Sequence, residues 1–175
     1  MPKYRKMLPD WDAPYIQSLI GVVETQSKET LIRWSTDYAE SRLLPIYESR
    51  FRDDPRPGKA ITAARRWLLK EIKLPEAKPA ILACHEAARE ADSDPAAQAA
   101  ARAIGQSAST IHAPTHSAGL ALYGALAVAY DALGIDAPWA ELEQAAATEC
   151  AQMEAALRAI SIEDEPNPAK LNWRC

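Results

Sequence analysis

The longest uncharged stretch of the chain runs from residue 103 to residue 130 and contains no Asp, Glu, Lys or Arg. Such a stretch belongs in a protein core or in a membrane. Its strongly apolar part, Leu120 to Tyr130, is shorter than the run of about 20 residues that a membrane-spanning helix needs. The pattern therefore predicts a buried helix that begins after Pro114 and ends at Leu133, with other helices packed on every side.

Apolar residues recur at helical spacing along most of the remaining chain, between breaks that contain proline or acidic residues. Pro45 is predicted to kink or restart one helix, and Pro75 and Pro79 to end another. Asp54 and Asp94, each followed by a proline, are predicted to stand at helix starts. The predicted helices cover about residues 15–23, 27–52, 56–72, 78–91, 96–110, 116–133 and 136–160.

Composition strengthens the helical prediction. Alanine, the best helix former, occupies 35 of the 175 positions, whereas phenylalanine occurs once. We therefore expect an all-α fold with a single domain over residues 1–175, long enough to bury a core without disulfides or metal. The expected architecture is a helical bundle of about six to eight helices with a buried Ala-rich central helix. Residues 1–13 are expected to form an irregular lead-in and residues 162–175 a C-terminal tail.

Charge is unevenly distributed along the chain, although the net charge is only −4. Residues 1–73 carry 14 Lys/Arg against 10 Asp/Glu, whereas residues 74–175 carry 6 against 14. Basic and acidic residues interleave between residues 50 and 66, which is typical of a solvated, ion-paired surface rather than a polyanion site. Nucleic acid is therefore not predicted as a partner.

The cysteines and the first residues indicate the compartment. Cys84, Cys150 and Cys175 are odd in number and lack C-x-x-C spacing, and the start of the chain lacks the pattern of a secretory signal. We therefore expect a cytoplasmic protein without a membrane span, in which Cys84 and Cys150 are small buried residues.

His112 and His116 are the main candidates for chemistry, because they lie four residues apart in the uncharged stretch. Two histidines at this spacing on a helix can share a metal ion, with a third ligand from His85 or Asp54. Pro114 disturbs the helix between them, and no glutamate follows the first histidine as metalloprotease chemistry requires. The alternatives are a polar binding or catalytic pocket and a purely structural role, with both imidazoles hydrogen-bonded in the core. No cofactor is predicted.

A second candidate segment extends from Asp54 to Trp67. Its arginines, among them Arg56, could bind a carboxylate or a phosphate. The alternative is that Trp67 packs in the core while the arginines form ion pairs between helices.

Three stretches together resemble a known family. They are YAESRLLPIYE at 38–48, DPRPxxAIxAAxxW at 54–67 and AIGQSASTIHAPTHSAGL at 103–120. In order and spacing they resemble the bacterial immunity protein family called Imm-5-like. The resemblance implies a small all-α cytoplasmic protein that protects its producer by binding a cognate toxin, and it implies no catalytic residues. The matching positions proposed for ligand or partner binding are Asp54, Arg56, Trp67, Gln106, His112, Thr115 and His116.

Two further expectations concern partners. The acidic C-terminal half suits a basic toxin by charge complementarity. An Ala-rich seam around Cys150 and Met153 on the last helix can serve either as core or as the interface of a homodimer. The hypothesis that competes with toxin binding is a small-molecule-binding protein or enzyme with a polar pocket around His112 and His116.

Overall fold

The structure is a computed structural model that describes residues 4–173. Residues 1–3, 174 and 175, and with them the outer ends of the predicted lead-in and tail, lie outside the described residues. Every regular element between residues 4 and 173 is helical, which confirms the all-α prediction. The α-helices are α1 (Pro14–Val23), α2 (Lys28–Tyr38), α3 (Leu44–Glu48), α4 (Arg56–Leu68), α5 (Leu74–Glu90), α6 (Pro95–Ser109), α7 (Leu126–Leu133) and α8 (Trp139–Ile160).

Helix α6 is the centre of the molecule. Asp94 caps it, since its side chain accepts a hydrogen bond of 2.9 Å from the backbone N–H of Ala97. All of its residues are buried except Arg102 and Gln106. It packs against α3, α4, α5 and α7, and its many alanines let these neighbours approach closely. The bundle therefore has a buried Ala-rich central helix, but this helix is α6 rather than the one that the uncharged stretch predicted after Pro114.

The pattern predicted one regular helix after Pro114, but the uncharged stretch does not form one. A 3₁₀-helix (Pro114–Ser117) is followed by a π-helical segment (Leu120–Ala125), and only then does α7 begin. The helix ends at Leu133 as predicted, and Gly134 follows with a φ of 80° that favours glycine. A second π-helical segment (Ala39–Leu43) joins α2 to α3 just before Pro45, so the chain stays helical through this proline.

The prediction that Pro75 and Pro79 end a helix is wrong. Helix α4 ends at Leu68, and Lys70 follows with a φ of 60°. Pro75 lies in the first turn of α5, where a missing N–H costs nothing, and Pro79 lies inside the same helix. The last helix likewise begins at Trp139 rather than at residue 136.

The two ends of the chain meet on one side of the bundle. The backbone N–H of Leu8 donates to the carbonyl of Leu122 at 2.9 Å. The rings of Trp11 and Trp173 contact each other with centroids 5.1 Å apart.

Cys84 and Cys150 are buried free thiols, as predicted, and burial raises the pKa of each to about 12. Among the described helices, none combines the length and the apolar character that crossing a bilayer requires.

Candidate functional site

Four of the seven candidate residues surround one cleft, which has a volume of about 540 Å³. Gln106 comes from the last turns of α6, and the other three follow α6 in the connection to the 3₁₀-helix and within it. The aromatic walls come from the lead-in, the tail and the π-helical segment. The polar and aromatic residues that line the cleft include Trp11, Gln106, His112, Thr115, His116, Tyr123 and Trp173.

Gln106 fixes the orientation of the His116 ring. The distance from His116 Nδ1 to Gln106 Oε1 is 2.7 Å. Because an amide oxygen only accepts, Nδ1 carries the proton in this contact, and Nε2 is the unprotonated nitrogen of the neutral ring. Burial, reinforced by the nearby His112, lowers the pKa of His116. The half-buried imidazole is therefore neutral at pH 7 and can accept a hydrogen bond through Nε2.

Gly119 makes the position of Gln106 possible. A Cβ atom added at Gly119 would overlap the Gln106 side chain, lying only 2.6 Å from its Cγ. The 3₁₀-helix and the π-helical segment can therefore lie against α6 only if residue 119 has no side chain. This explains why a glycine follows the two histidines.

His85, which the sequence suggests only as a third metal ligand, joins the other two histidines in a smaller cavity of about 250 Å³. A guanidinium N–H of Arg102 donates to its Nδ1 at 3.1 Å, so Nε2 carries the proton and lies 3.3 Å from the Ser109 hydroxyl. Burial, followed by the charge of Arg102, lowers the pKa of His85 to about 4. The ring is neutral, and Gly105 makes room for it, because a Cβ there would lie 2.6 Å from Cε1.

The histidines do not assemble into a metal site in the structure. The ring centroids of His112 and His116 are 6.4 Å apart. Both nitrogens of His85 are already engaged by Arg102 and Ser109. Over residues 4–173 no group of three or more His, Cys, Asp or Glu residues is arranged to hold a metal ion.

The remaining three candidates lie outside the cleft. Asp54 binds Arg56 through both carboxylate oxygens and accepts a hydrogen bond of 2.6 Å from the Tyr47 hydroxyl. Arg56 also pairs with Glu90, so carboxylates of the chain itself already compensate its charge. Trp67 is partly buried, and Lys28 Nζ lies 5.0 Å from the centroid of its ring.

The sequence suggests His85 only as a third metal ligand, and it gives no indication of Arg102 as part of this region. Their contact joins α5 to α6 and depends on the packing of two helices, whereas His112 and His116 stand out by local spacing alone. The only local indication of a close neighbour at this point of α6 is Gly105. It is one of two glycines in the uncharged stretch that lie against a large polar side chain.

Comparison with known proteins places the chain in a family. The family model described as Imm-5 like putative immunity protein matches residues 21–156, which are 136 of the 175 residues. The chain belongs to this Imm-5 like family. No curated protein and no solved structure matches the chain. All seven candidate residues fall within the matched range, whereas Trp11 and Trp173, which complete the wall of the cleft, fall outside it.

Proposed function

We propose that this protein binds a cognate bacterial toxin and neutralises it by covering the surface that the toxin needs. The observation that carries the proposal is membership of the immunity protein family over most of the chain. In this proposal the protein works in the cytoplasm, where it meets the toxin. No reaction of its own is required, because occlusion of the partner is sufficient.

The surface around the start of the C-terminal tail supports a basic partner. Glu24, Glu163, Asp164 and Glu165 line an open cleft of about 680 Å³ in which Arg158 is the basic residue. Ile162 lies in the same cleft and is 51% exposed. Apolar area rimmed by charge is typical of protein interfaces, and carboxylates steer a basic toxin toward this surface.

The arginines of the N-terminal half support a protein partner rather than a nucleic acid. Arg50 pairs with Asp94 and Asp131, and Arg65 pairs with Asp37 and Glu40. Arginines that already bind carboxylates do not form the open basic patch that phosphate backbones require.

The homodimer remains a prediction, and the seam around Cys150 and Met153 does not support it. Both side chains are fully buried within the chain's own core. They are therefore not available to a second copy.

The proposal is tested with the purified chain and the purified toxin. We expect a stoichiometric complex that abolishes the toxin's activity. A double charge reversal, Glu163→Lys with Asp164→Lys, should weaken the complex at least about tenfold, a change of about 1.4 kcal/mol, and more strongly at low salt. Glu86→Lys, at an exposed position on α5, is the matched control and should leave the affinity unchanged. Absence of any complex contradicts toxin binding, and a complex that tolerates the double reversal contradicts the acidic contact surface.

A second candidate function is small-molecule binding or catalysis in the His112–His116 cleft. The observation that favours it is the volume of about 540 Å³, in the range of ligand pockets, together with an oriented neutral imidazole. The two functions respond differently to substitution. His112→Ala and His116→Ala should leave toxin neutralisation intact under the first proposal, unless the two histidines face the toxin. The second function predicts that both variants, with folding retained, lose ligand binding or turnover in the cleft.

A further inference from the structure

A second cleft adjoins the His112–His116 cleft and has a different chemistry. It has a volume of about 540 Å³ and shares Met7, Gln106 and Tyr123 with its neighbour. Arg102 lines this cleft, and Arg102 and Gln106 are the two residues of α6 that are not buried. The other charged residues of this cleft are Lys6, Arg89 and Asp92.

Arg102 differs from the arginines that pack between helices elsewhere in the molecule. Arg42, Arg50, Arg56 and Arg65 each bind one or two carboxylates. Within the described part of the chain, Arg102 takes part in no such ion pair, and its hydrogen bond goes to the neutral ring of His85. The imidazole positions the guanidinium without compensating its charge.

The neighbouring cations add to this uncompensated charge. Arg89 lies one helical turn after His85 on α5, so it faces the same side as the ring that Arg102 contacts. Lys6 approaches from the lead-in. Three cations and one carboxylate give the cleft a formal charge of +2, although the whole chain carries −4. Like charges gathered along one cleft give it a positive potential, which favours the binding of an anion.

The neutral residue Gln98 connects the elements around the cations and adds no negative charge to the cleft. Gln98 donates to the carbonyl of Ala88 at 3.0 Å and accepts from the Tyr4 hydroxyl at 3.1 Å. It thereby ties α5 and the lead-in to α6 beside Arg102. Because its hydrogen bond to His85 holds the Arg102 guanidinium in one orientation, this group is pre-organised to bind two oxygens of one anion.

We propose that this cleft binds a small tetrahedral oxyanion of the phosphoryl class, with Arg102 as the anchor and Arg89 and Lys6 as supporting cations. A dianion matches the charge of the cleft better than a single carboxylate does. The phosphoryl group comes either from inorganic phosphate or from a phosphomonoester whose body extends past Tyr123 into the adjoining cleft. This site is separate from the acidic surface proposed for the toxin.

The test is calorimetric titration of the full chain near neutral pH, with chloride used to match ionic strength. Inorganic phosphate, a nucleoside monophosphate and acetate are the three probes. We expect saturable binding of at least one phosphoryl probe and none of acetate. Tighter binding of the nucleotide than of phosphate identifies the ester as the source, and equal or weaker binding identifies phosphate. Absence of saturable phosphoryl binding, or equal binding of acetate, overturns the proposal.

Variants assign the binding to the cleft. Arg102→Gln should weaken the phosphoryl probe at least about tenfold. Since this change also removes the contact to His85, the double variant Lys6→Gln with Arg89→Gln, at two exposed positions, provides a second measurement that leaves the core intact. Arg33→Gln, exposed on α2, removes a positive charge elsewhere and should change nothing. Equal weakening in all three overturns a specific site. Toxin neutralisation is measured separately, so failure here is distinguishable from failure of the proposed function.

Discussion

Single glycines determine how closely the polar side chains of the site approach the central helix. Gly119 faces the Gln106 side chain, and Gly105 faces the His85 ring. Each glycine is necessary because of a particular partner rather than because of its backbone conformation. The hydrogen bonds of the Gln106 and His85 side chains therefore depend on residues that have no side chain.

Gly119→Ala should destabilise the fold by about 1–3 kcal/mol, because the new Cβ overlaps Gln106 close to the α6 backbone and forces the segments apart. Denaturant unfolding measures the change. Gly21→Ala is the matched control: no atom lies within 4 Å of its added Cβ, and in helix α1 it should stabilise by about 0.5–1 kcal/mol. Equal effects of the two substitutions would contradict the packing explanation.

Asp54 should make stability depend on pH in the acidic range. Hydrogen bonds from Arg56, against an opposing effect of burial and with help from Tyr47, lower the pKa of Asp54 to about 2. The unfolded carboxyl has a pKa of about 3.9, so the contribution is present above that value and is lost as the pH falls toward 2. Asp54→Asn should cost about 1–2 kcal/mol near neutral pH and flatten the decline between about pH 4 and pH 2.

Unfolding curves at several pH values check this prediction. Asp53→Asn, at the exposed neighbouring position, should change stability by less than about 0.5 kcal/mol. A decline in acid that is as steep in Asp54→Asn as in the unchanged chain would show that other carboxylates account for it.

Residue-level prediction from sequence succeeds where the determinants are local. Spacing and an uncharged neighbourhood single out His112 and His116, and the structure places both beside the same cleft. Whether they bind a ligand stays a prediction. The pairing of His85 with Arg102 could not be predicted, since it depends on which faces of α5 and α6 meet.

At the scale of helices, the sequence predicts which segments are helical better than where each one begins. Pro75 is compatible with the end of one helix or with the start of the next. The Glu76 side chain accepts a hydrogen bond of 2.8 Å from the backbone N–H of Lys73. This bond caps the N-terminus of α5 and so places Pro75 at the start of that helix. The sequence likewise does not predict the π-helical segments. Leu43 of one segment lies against Gly124 of the other, and this packing across the core is not visible in the local sequence.

Glu149 should be the main polar attachment of α8 to the rest of the bundle. Its buried carboxylate binds Arg42 through two hydrogen bonds of 3.0 and 2.9 Å and accepts from the Tyr38 hydroxyl at 2.6 Å. Glu149→Gln should cost about 2–3 kcal/mol, because it weakens a charged network that burial makes strong. The exposed pair of Glu40 with Arg65 is the control, and Glu40→Gln should cost less than about 1 kcal/mol.

Thermal or denaturant unfolding of the two variants measures the difference. If Glu149→Gln is as mild as Glu40→Gln, apolar packing alone attaches α8 and the network has no special weight.

At the scale of the whole molecule, the two ends of the chain complete the wall of the cleft that the helices leave open. Gln26 holds the tail in place. Gln26 is buried, and its side-chain amide forms two hydrogen bonds with the backbone of Ile162, at 2.9 and 3.1 Å. The backbone carbonyl of Gln26 accepts a hydrogen bond from the backbone N–H of Ala169 at 2.8 Å. Beyond this attachment, Trp173 contacts Trp11 and donates to Glu24.

Gln26→Ala should release the tail while the bundle stays folded. We expect amide exchange between residues 162 and 173 to accelerate at least about tenfold, corresponding to a loss of about 1.4 kcal/mol in local stability. Hydrogen exchange with mass spectrometry measures this. Gln152→Ala, at an exposed position on α8, should have no such effect. Unchanged protection of the tail in Gln26→Ala would assign its attachment to the tryptophans instead.

The most direct test of the central claim is growth of cells that express a toxin-like product encoded next to the gene for this chain. If the chain is the cognate immunity protein, the toxin alone stops growth and co-expression of the full chain restores it. The double charge reversal at Glu163 and Asp164 should then reduce this protection, while Glu86→Lys should not. If no neighbouring product is toxic, or if growth stays arrested although the folded chain is present, the immunity function is contradicted.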